Sequence, residues 1–238
     1  MNAFLYGAAL QWKLDFRNKE IVVTYYLVPI VFFLFMGGIF TSILTDFTST
    51  LIPAMTVFGV TMGGVLGSPA PLAKIYGSEI KKSYRAGNIP LWTAMVGNFI
   101  SGFIHLFLMS LVIFFVAPLL FHATVPTNLV VYFSSLALLI IASVSIGTVF
   151  GLYVKSSSKL AMITQFAFLP SIMLSGIMFP ANLLPSFLQM IGKIFPASWA
   201  YQAMCSNTFE LGYIFPILII ITVLLILSIL KLRLIEKE

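Results

Sequence analysis

The run Leu174–Met204, LSGIMFPANLLPSFLQMIGKIFPASWAYQAM, decides how the chain is arranged. It starts as an apolar span and then breaks at Pro180, Pro185 and Pro196, with Lys193 in between, so it does not cross a hydrocarbon layer as one further helix. It is also too apolar for an ordinary solvated loop. Leu183, Leu184, Phe187, Leu188, Ile191 and Ile194 recur at three- and four-residue intervals, the pattern of an amphipathic helix that Pro196 stops. Ala197 to Met204 suits a second short helix, with Trp199 and Tyr201 placed for a membrane interface. Residues 180–211 are therefore expected to form re-entrant helices that dip into the outer leaflet and cap the external end of whatever path the spans enclose.

The rest of the chain supplies those spans. Of 238 residues, 60% are hydrophobic and 8% charged, and the mean hydropathy is +1.07, values that place the chain among polytopic membrane proteins. An apolar helix of about 20 residues crosses a hydrocarbon core of roughly 30 Å. Six stretches meet that requirement: Ile21–Leu44, Leu51–Ala73, Pro90–Leu120, Asn128–Val154, Leu160–Phe179 and Gly212–Leu232. None alternates as a membrane β-strand would, so the expected fold is all-α, one transmembrane domain over residues 1–238. The lone Cys205 permits no internal disulfide and no thiolate metal site. The first twenty residues never form an unbroken apolar core before a small-residue cleavage site, and no signal peptide is expected there.

Orientation follows from Lys and Arg, which are retained on the cytoplasmic side. With both termini cytoplasmic, the inner segments carry Lys13, Arg17 and Lys19; Lys74, Lys81, Lys82 and Arg85; Lys155 and Lys159; and Lys231, Arg233 and Lys237. That is 12 of the 13 basic residues, only Lys193 lying outside. The net charge of +6 thus reports topology. Split among four short segments, it makes no continuous face for nucleic acid.

Ion-coupled carriers place a charge within the membrane, and here no span has a carboxylate or a basic residue near its centre. His105 is the one ionisable group well inside a span; a hydrogen bond to a neighbouring helix is the favoured role, a proton relay the alternative. No phosphate-binding loop of the G-x-x-x-x-G-K-[ST] type occurs, and no soluble stretch is long enough for an ATPase domain. Energy for uphill transport must then enter from outside the chain, which has no expected catalytic or metal site. Gly59, Gly63 and Gly67 recur every fourth residue on the second span as a smooth strip, read first as helix packing and second as a substrate contact. Pro53 and the SPAP run Ser68–Pro71 are expected to bend or break the ends of that helix.

Two inner surfaces stand out. In residues 1–20, Phe4, Leu5, Ala8, Ala9, Trp12 and Phe16 fall at helical spacing with Gln11, Lys13, Asp15 and Arg17 mostly off the stripe, so this segment is expected to lie flat in the interface with Trp12 near the headgroups. In the loop 74–89, Gly77 and Gly87 bracket one or two helical turns exposing Glu79, Lys81, Lys82, Tyr84 and Arg85. This is either a solvated topogenic loop or the docking surface for a motor.

The opening run resembles the signature of ABC-2 type permeases, membrane subunits of one large group of ABC transporters. Ser175, Gly176, Phe179, Pro180, Pro185, Leu188, Gln189 and Pro196 carry the likeness: a small-residue pair ending the fifth span, FP, a second proline, an LQ pair and a third proline before an aromatic. The family's spans, interface helix, coupling loop between spans two and three, and re-entrant helices follow the same order, so the resemblance covers the whole chain. One departure is the loop, which in the family often has an acidic residue before Gly-Thr, whereas here Glu79 precedes IKKSYRAG.

The resemblance implies a half-transporter in a bacterial plasma membrane, among membrane lipids. A second permease, identical or paralogous, would complete the path. Separate ATPase subunits, holding ATP and Mg, would dock on the loop through Glu79, Lys81, Lys82, Tyr84 and Arg85. It also implies that spans two and five line the cavity. Met55, Phe58, Met62 and Leu66 share one face of the second span, and Phe166, Pro170, Met173 and Ile177 one face of the fifth, though such residues also serve simple helix packing. A soft aromatic and methionine lining suits an amphipathic or hydrophobic cargo such as an antibiotic, peptide or lipid, as in multidrug resistance. A polysaccharide exporter and a passive channel or non-transporting scaffold are the alternatives.

Overall fold

The structure, a computed structural model, describes residues 11–43, 48–178, 180–206 and 208–237. Within them every regular element is a helix. Residues 11–17 form α1. After it, Asn18 starts α2 by accepting the Glu20 amide on its side chain at 3.0 Å, an N-cap. The α2 helix comprises Lys19–Val22, a π-helical turn Val23–Leu27 and Val28–Ile43. The wide turn has a local cause: Pro29 has no amide to give the carbonyl of Tyr25, four residues back, so the ladder loosens there.

The same chemistry shapes α3, which runs Leu51–Met62, a π turn Gly63–Gly67, and Pro69–Gly77. Pro69 removes the bond to Val65. The Ser68 amide instead reaches back five residues to the Gly63 carbonyl at 3.1 Å, and the Ser68 hydroxyl donates to the Gly64 carbonyl at 2.6 Å. The expected break at the SPAP run is thus a widened, re-satisfied turn. Pro53, in the first turn, leaves the helix intact because that turn has few amide bonds to lose.

The remaining helices are α4 (Ile80–Ala86), α5 (Trp92–Phe121), α6 (Leu129–Tyr153), α7 (Ser157–Met173), α8 (Ser186–Gly192), α9 (Pro196–Cys205) and α10 (Leu211–Lys237), with a 3-10 turn at Ala181–Leu183 before α8. Five helices among the described residues are long and apolar enough to cross a membrane: Lys19–Ile39, Leu51–Gly77, Trp92–Phe121, Leu129–Tyr153 and Leu211–Lys237. The chain is an all-α polytopic membrane protein.

The expected span Leu160–Phe179 is present as a shorter helix. It is the 17-residue α7, about 25 Å long at 1.5 Å per residue. It ends because the Ser175 hydroxyl takes the Ile172 carbonyl at 2.7 Å, and Gly176, at φ +89°, turns the chain into a conformation that disfavours any side chain. Phe179 and Leu44, the expected ends of two spans, lie outside the described residues.

The centre of the bundle is α3: 89% of its most apolar window is buried, against 22–56% for the other four long helices. Its glycine strip explains the close approach. A Cβ on Gly63 would meet Leu106 and Tyr25, and one on Gly67 would meet Tyr25 and Thr24, so α2 and α5 lie directly on the strip. On the other side α6 comes closer still. A Cβ on Gly147 would strike the Ser68 hydroxyl and the Gly64 carbonyl oxygen. Between α3 and α6, Thr56 and Tyr132 share a buried hydroxyl–hydroxyl bond of 2.8 Å. Along α6 and at the end of the bundle, α9 and α10 complete the packing.

Candidate functional site

The end of the bundle that carries Lys74, Lys81, Lys82, Arg85, Lys155, Lys159, Lys231 and Arg233 presents α4 as a protruding handle with no buried residue. Gly77 closes α3 before it and Gly87 follows it. Glu79 and Lys82 are exposed and ion-paired across one turn at 2.6 Å. Lys81 is half-buried.

Two residues brace the handle. Tyr84 packs against a cluster made by Leu72 and Tyr76 of α3, Leu91 and Ala94 at the start of α5, Leu152 of α6, and Leu232 and Ile235 of α10. The Arg85 guanidinium donates to the carbonyls of Ile235 at 2.9 Å and Glu236 at 3.3 Å, capping the end of α10, where unsatisfied carbonyls attract a cation. Tyr76 adds a 2.7 Å bond to the Leu91 carbonyl. A force on α4 therefore reaches α3, α5 and α10 together. Sequence periodicity places Arg85 on an exposed helix; its partner is 150 residues away and left no local signal.

Further along the bundle, α1 is docked on the middle of α5. Residues 1–10 of the expected interface helix lie outside the described residues. In the described part the expectation fails at Asp15, which stands off the apolar stripe and yet is only 3% exposed. The reason is Ser101 on α5, whose hydroxyl donates to Asp15 Oδ2 at 2.5 Å, while the Gln11 amide donates to Oδ1 at 2.8 Å. Burial pushes the Asp15 carboxyl above its usual range, and the two donated bonds pull less strongly the other way. Trp12 is half-buried and stacks on His105 with centroids 5.9 Å apart; Phe16 lies 5.1 Å from His105 and 6.0 Å from Tyr26. His105 Nδ1 bonds the Tyr26 hydroxyl at 2.7 Å, the interhelical role favoured for it.

The two apolar stripes proposed to line a path are kept apart within the chain. Met55 and Phe58 are buried in the core, and Met62 and Leu66 are half-buried. Phe58 stacks on Phe32 at 3.8 Å and meets Phe168 edge-on at 5.8 Å. Phe168, not Phe166, is the α7 residue that faces α3, since residues two apart are about 200° apart on a helix. Phe166 and Met173 stand exposed, Pro170 is half-buried and Ile177 is buried.

At the opposite end the signature residues build a turn and two caps. Ser175 also accepts the Ile177 amide at 3.4 Å. Pro180 and Pro185 stand immediately before the 3-10 turn and α8, and Pro196 opens α9, where a missing amide costs no helical bond. Gln189 donates to the Leu184 carbonyl at 2.8 Å, Ser198 to the Gly192 carbonyl at 2.6 Å and Trp199 to the Lys193 carbonyl at 2.7 Å. These bonds satisfy main chain that broken helices would otherwise leave unpaired. Leu183, Phe187, Ile191 and Ile194 remain exposed along one side.

Compared with curated protein sequences, the chain has no match. A family model described as "ABC-2 type transporter" matches residues 3–209, a stretch that takes in the docked α1, the α4 handle and the re-entrant α8 and α9. A match over that share of the sequence, on a fold of this kind, makes the chain a member of the ABC-2 type transporter family.

Proposed function

We propose that this permease is the membrane half of an ATP-driven exporter and that it moves an amphipathic or hydrophobic compound out of a bacterial cell. Membership of the family makes the chain a membrane component of an ABC transporter, and such components associate in general with ABC ATPase subunits. The finer reading rests on one observation: an exposed helix, α4, is tied by Arg85 to the last turn of α10 and by Tyr84 to the ends of three more helices. A handle of that kind turns a push from outside into a tilt of the bundle.

In this reading both termini are cytoplasmic, and the basic end of the bundle faces the motor. ATP and Mg are bound by the partner, and closure of two motors drives two permeases, identical or paralogous. Glu79, Lys81, Lys82, Tyr84 and Arg85 form the docking and bracing surface. Phe166 and Met173, exposed on α7, face the second permease and contribute the adaptable wall of the shared path.

The test is reconstitution of the purified permease with its co-purifying ATPase in vesicles. ATP should drive accumulation of a fluorescent amphipathic dye, blocked by vanadate. Dye movement that is equal with and without the ATPase, or a permease that co-purifies with no nucleotide-binding subunit in mild detergent, would overturn the reading.

A further inference from the structure

Between α5, α6 and α10, one to two turns in from the basic end, lies a cavity of about 220 Å³. Met95 and Phe99 of α5, Ser145 and Thr148 of α6, and Ser228 and Ile229 of α10 line it. An apolar cavity of roughly 150 Å³ already admits a benzene ring, so this one has room for a chain of several methylenes. Its wall is almost wholly hydrocarbon, yet it holds one unanswered polar group. Ser145 is 1% exposed and its hydroxyl has no hydrogen-bond partner, whereas Thr148 and Ser228 bond carbonyls of their own helices at 2.8 Å. The cavity is not sealed: Ile229 is 46% exposed on the outside of the bundle, in the part of α10 that spans the membrane.

The residues below the opening point to its occupant. Arg233 follows Ile229 by four residues, on the same face of α10 and about 6 Å nearer the basic end. Its side chain is exposed, and among the described residues it has no ion-pair partner. Trp92 precedes Met95 by three residues on α5, exposed at the same level, as interfacial tryptophans are.

We propose that this cavity is a binding site for one anionic glycerophospholipid of the leaflet at the basic end. An acyl chain enters beside Ile229 and runs past Met95 and Thr148 to Phe99 and Ser145, and Arg233 holds the phosphate. A water-filled cavity is disfavoured because the wall is almost wholly hydrocarbon, and a water needs two to four polar partners. The site lies on α5, α6 and α10, away from the α7 face, and stands whether or not the chain is an exporter.

The full-length protein in nanodiscs would be exposed to phosphatidylglycerol bearing an acyl-chain diazirine, irradiated, and the adducts mapped by peptide mass spectrometry. Adducts should concentrate on Met95, Phe99 and Ile229. Unlabelled phosphatidylglycerol should compete better than phosphatidylcholine by about fivefold, the discrimination that one basic residue near the surface supplies. Arg233→Gln should erase that preference while leaving acyl labelling in place, and Ser228→Phe, which fills the cavity, should abolish it. Exposed Phe115 and Phe215, far from the cavity, report background contact with lipid. Labelling no denser at the cavity than at these two, or equal competition by the two lipids, would overturn the proposal. If Ser228→Phe fails to fold, Arg233→Gln alone decides, since an unchanged preference refutes the headgroup site.

Discussion

Arg85 Nη2 lies 2.9 Å from the carbonyl oxygen of Ile235, joining the short α4 handle to the last turn of the last helix across 150 residues of sequence. The contact is part-buried, and as a single hydrogen bond its net contribution to folding is small, about 1 kcal/mol. Its importance is positional. It is one of two braces that prevent α4 from swinging without moving the spans.

Replacing Arg85 by Ala should therefore leave thermal stability almost unchanged and lower transport per ATP hydrolysed by about fivefold, the loss matching one net hydrogen bond. Arg85→Lys should fall between, because an ammonium keeps the charge but sits on a shorter side chain than the guanidinium, whose Nη2 reaches both carbonyls. Simultaneous measurement of dye uptake and phosphate release in the reconstituted complex reads the ratio. A ratio equal to wild type in Arg85→Ala would remove this brace from the coupling path.

Asp15 gives a pH-dependent expectation. Its carboxyl in the docked state binds a proton more readily than the reference value of 3.8. Above 3.8 and up to the folded value, the docked form keeps a proton that the released form gives up. The docking of α1 is thus fully supported below 3.8 and weakens as pH rises through the folded value. Asp15→Asn, neutral and of the same shape, should melt above wild type at pH 7, with the gap closing as the pH is lowered towards 3.8. Parallel melting profiles for the two proteins across that range would show that burial of the carboxylate carries no penalty.

Much of the architecture is legible in the sequence, and the parts that are not share a cause. Long apolar segments mark themselves by length, and the SG pair at Ser175 and Gly176 announces the turn that ends α7, because φ +89° is a local demand on one residue. Faces are harder. Along α7 both sides are apolar, so periodicity does not tell Phe166 from Phe168, and only packing against Phe58 selects the latter. Polar partners are hardest of all: Asp15 reads as a solvated charge until Ser101 is brought to it, 86 positions later. The fifth expected span illustrates the same limit, since composition runs it on to Phe179 while the terminal bonds of α7 stop the helix at Met173.

The glycines make a contrast that needs no transport assay. Gly147→Ala would push a methyl group into the Gly64 carbonyl and the Ser68 hydroxyl, which already bond each other at 2.6 Å. Main chain cannot step aside there, so a loss of about 1–3 kcal/mol is expected, the usual cost of overpacking. Gly97, also buried in the α5 helix, has nothing within 4 Å of an added Cβ. Gly97→Ala should be neutral or stabilising by up to about 1 kcal/mol, the helix propensity gain. Equal melting temperatures for the two variants in the same detergent would contradict the close α3–α6 approach.

The pair Tyr26 and His105 allows the membrane hydrogen bond itself to be weighed. The bond is 2.7 Å long, lies between α2 and α5, and is covered by Trp12 and Phe16 from α1. Tyr26→Phe keeps the ring and removes only the hydroxyl, leaving Nδ1 of His105 unpaired beneath those aromatics. Interhelical bonds of this kind average about 0.6 kcal/mol in double-mutant cycles and reach roughly 1.7. The value here should sit in the upper half of that range, because α1 screens the pair from water that would otherwise take the vacated place. A cycle with Tyr26→Phe, His105→Leu and the double variant, read by unfolding in mixed micelles, gives the coupling directly. Removing residues 1–17 should then reduce it towards the average, whereas a coupling unaffected by that truncation would mean that α1 covers the bond without sheltering it.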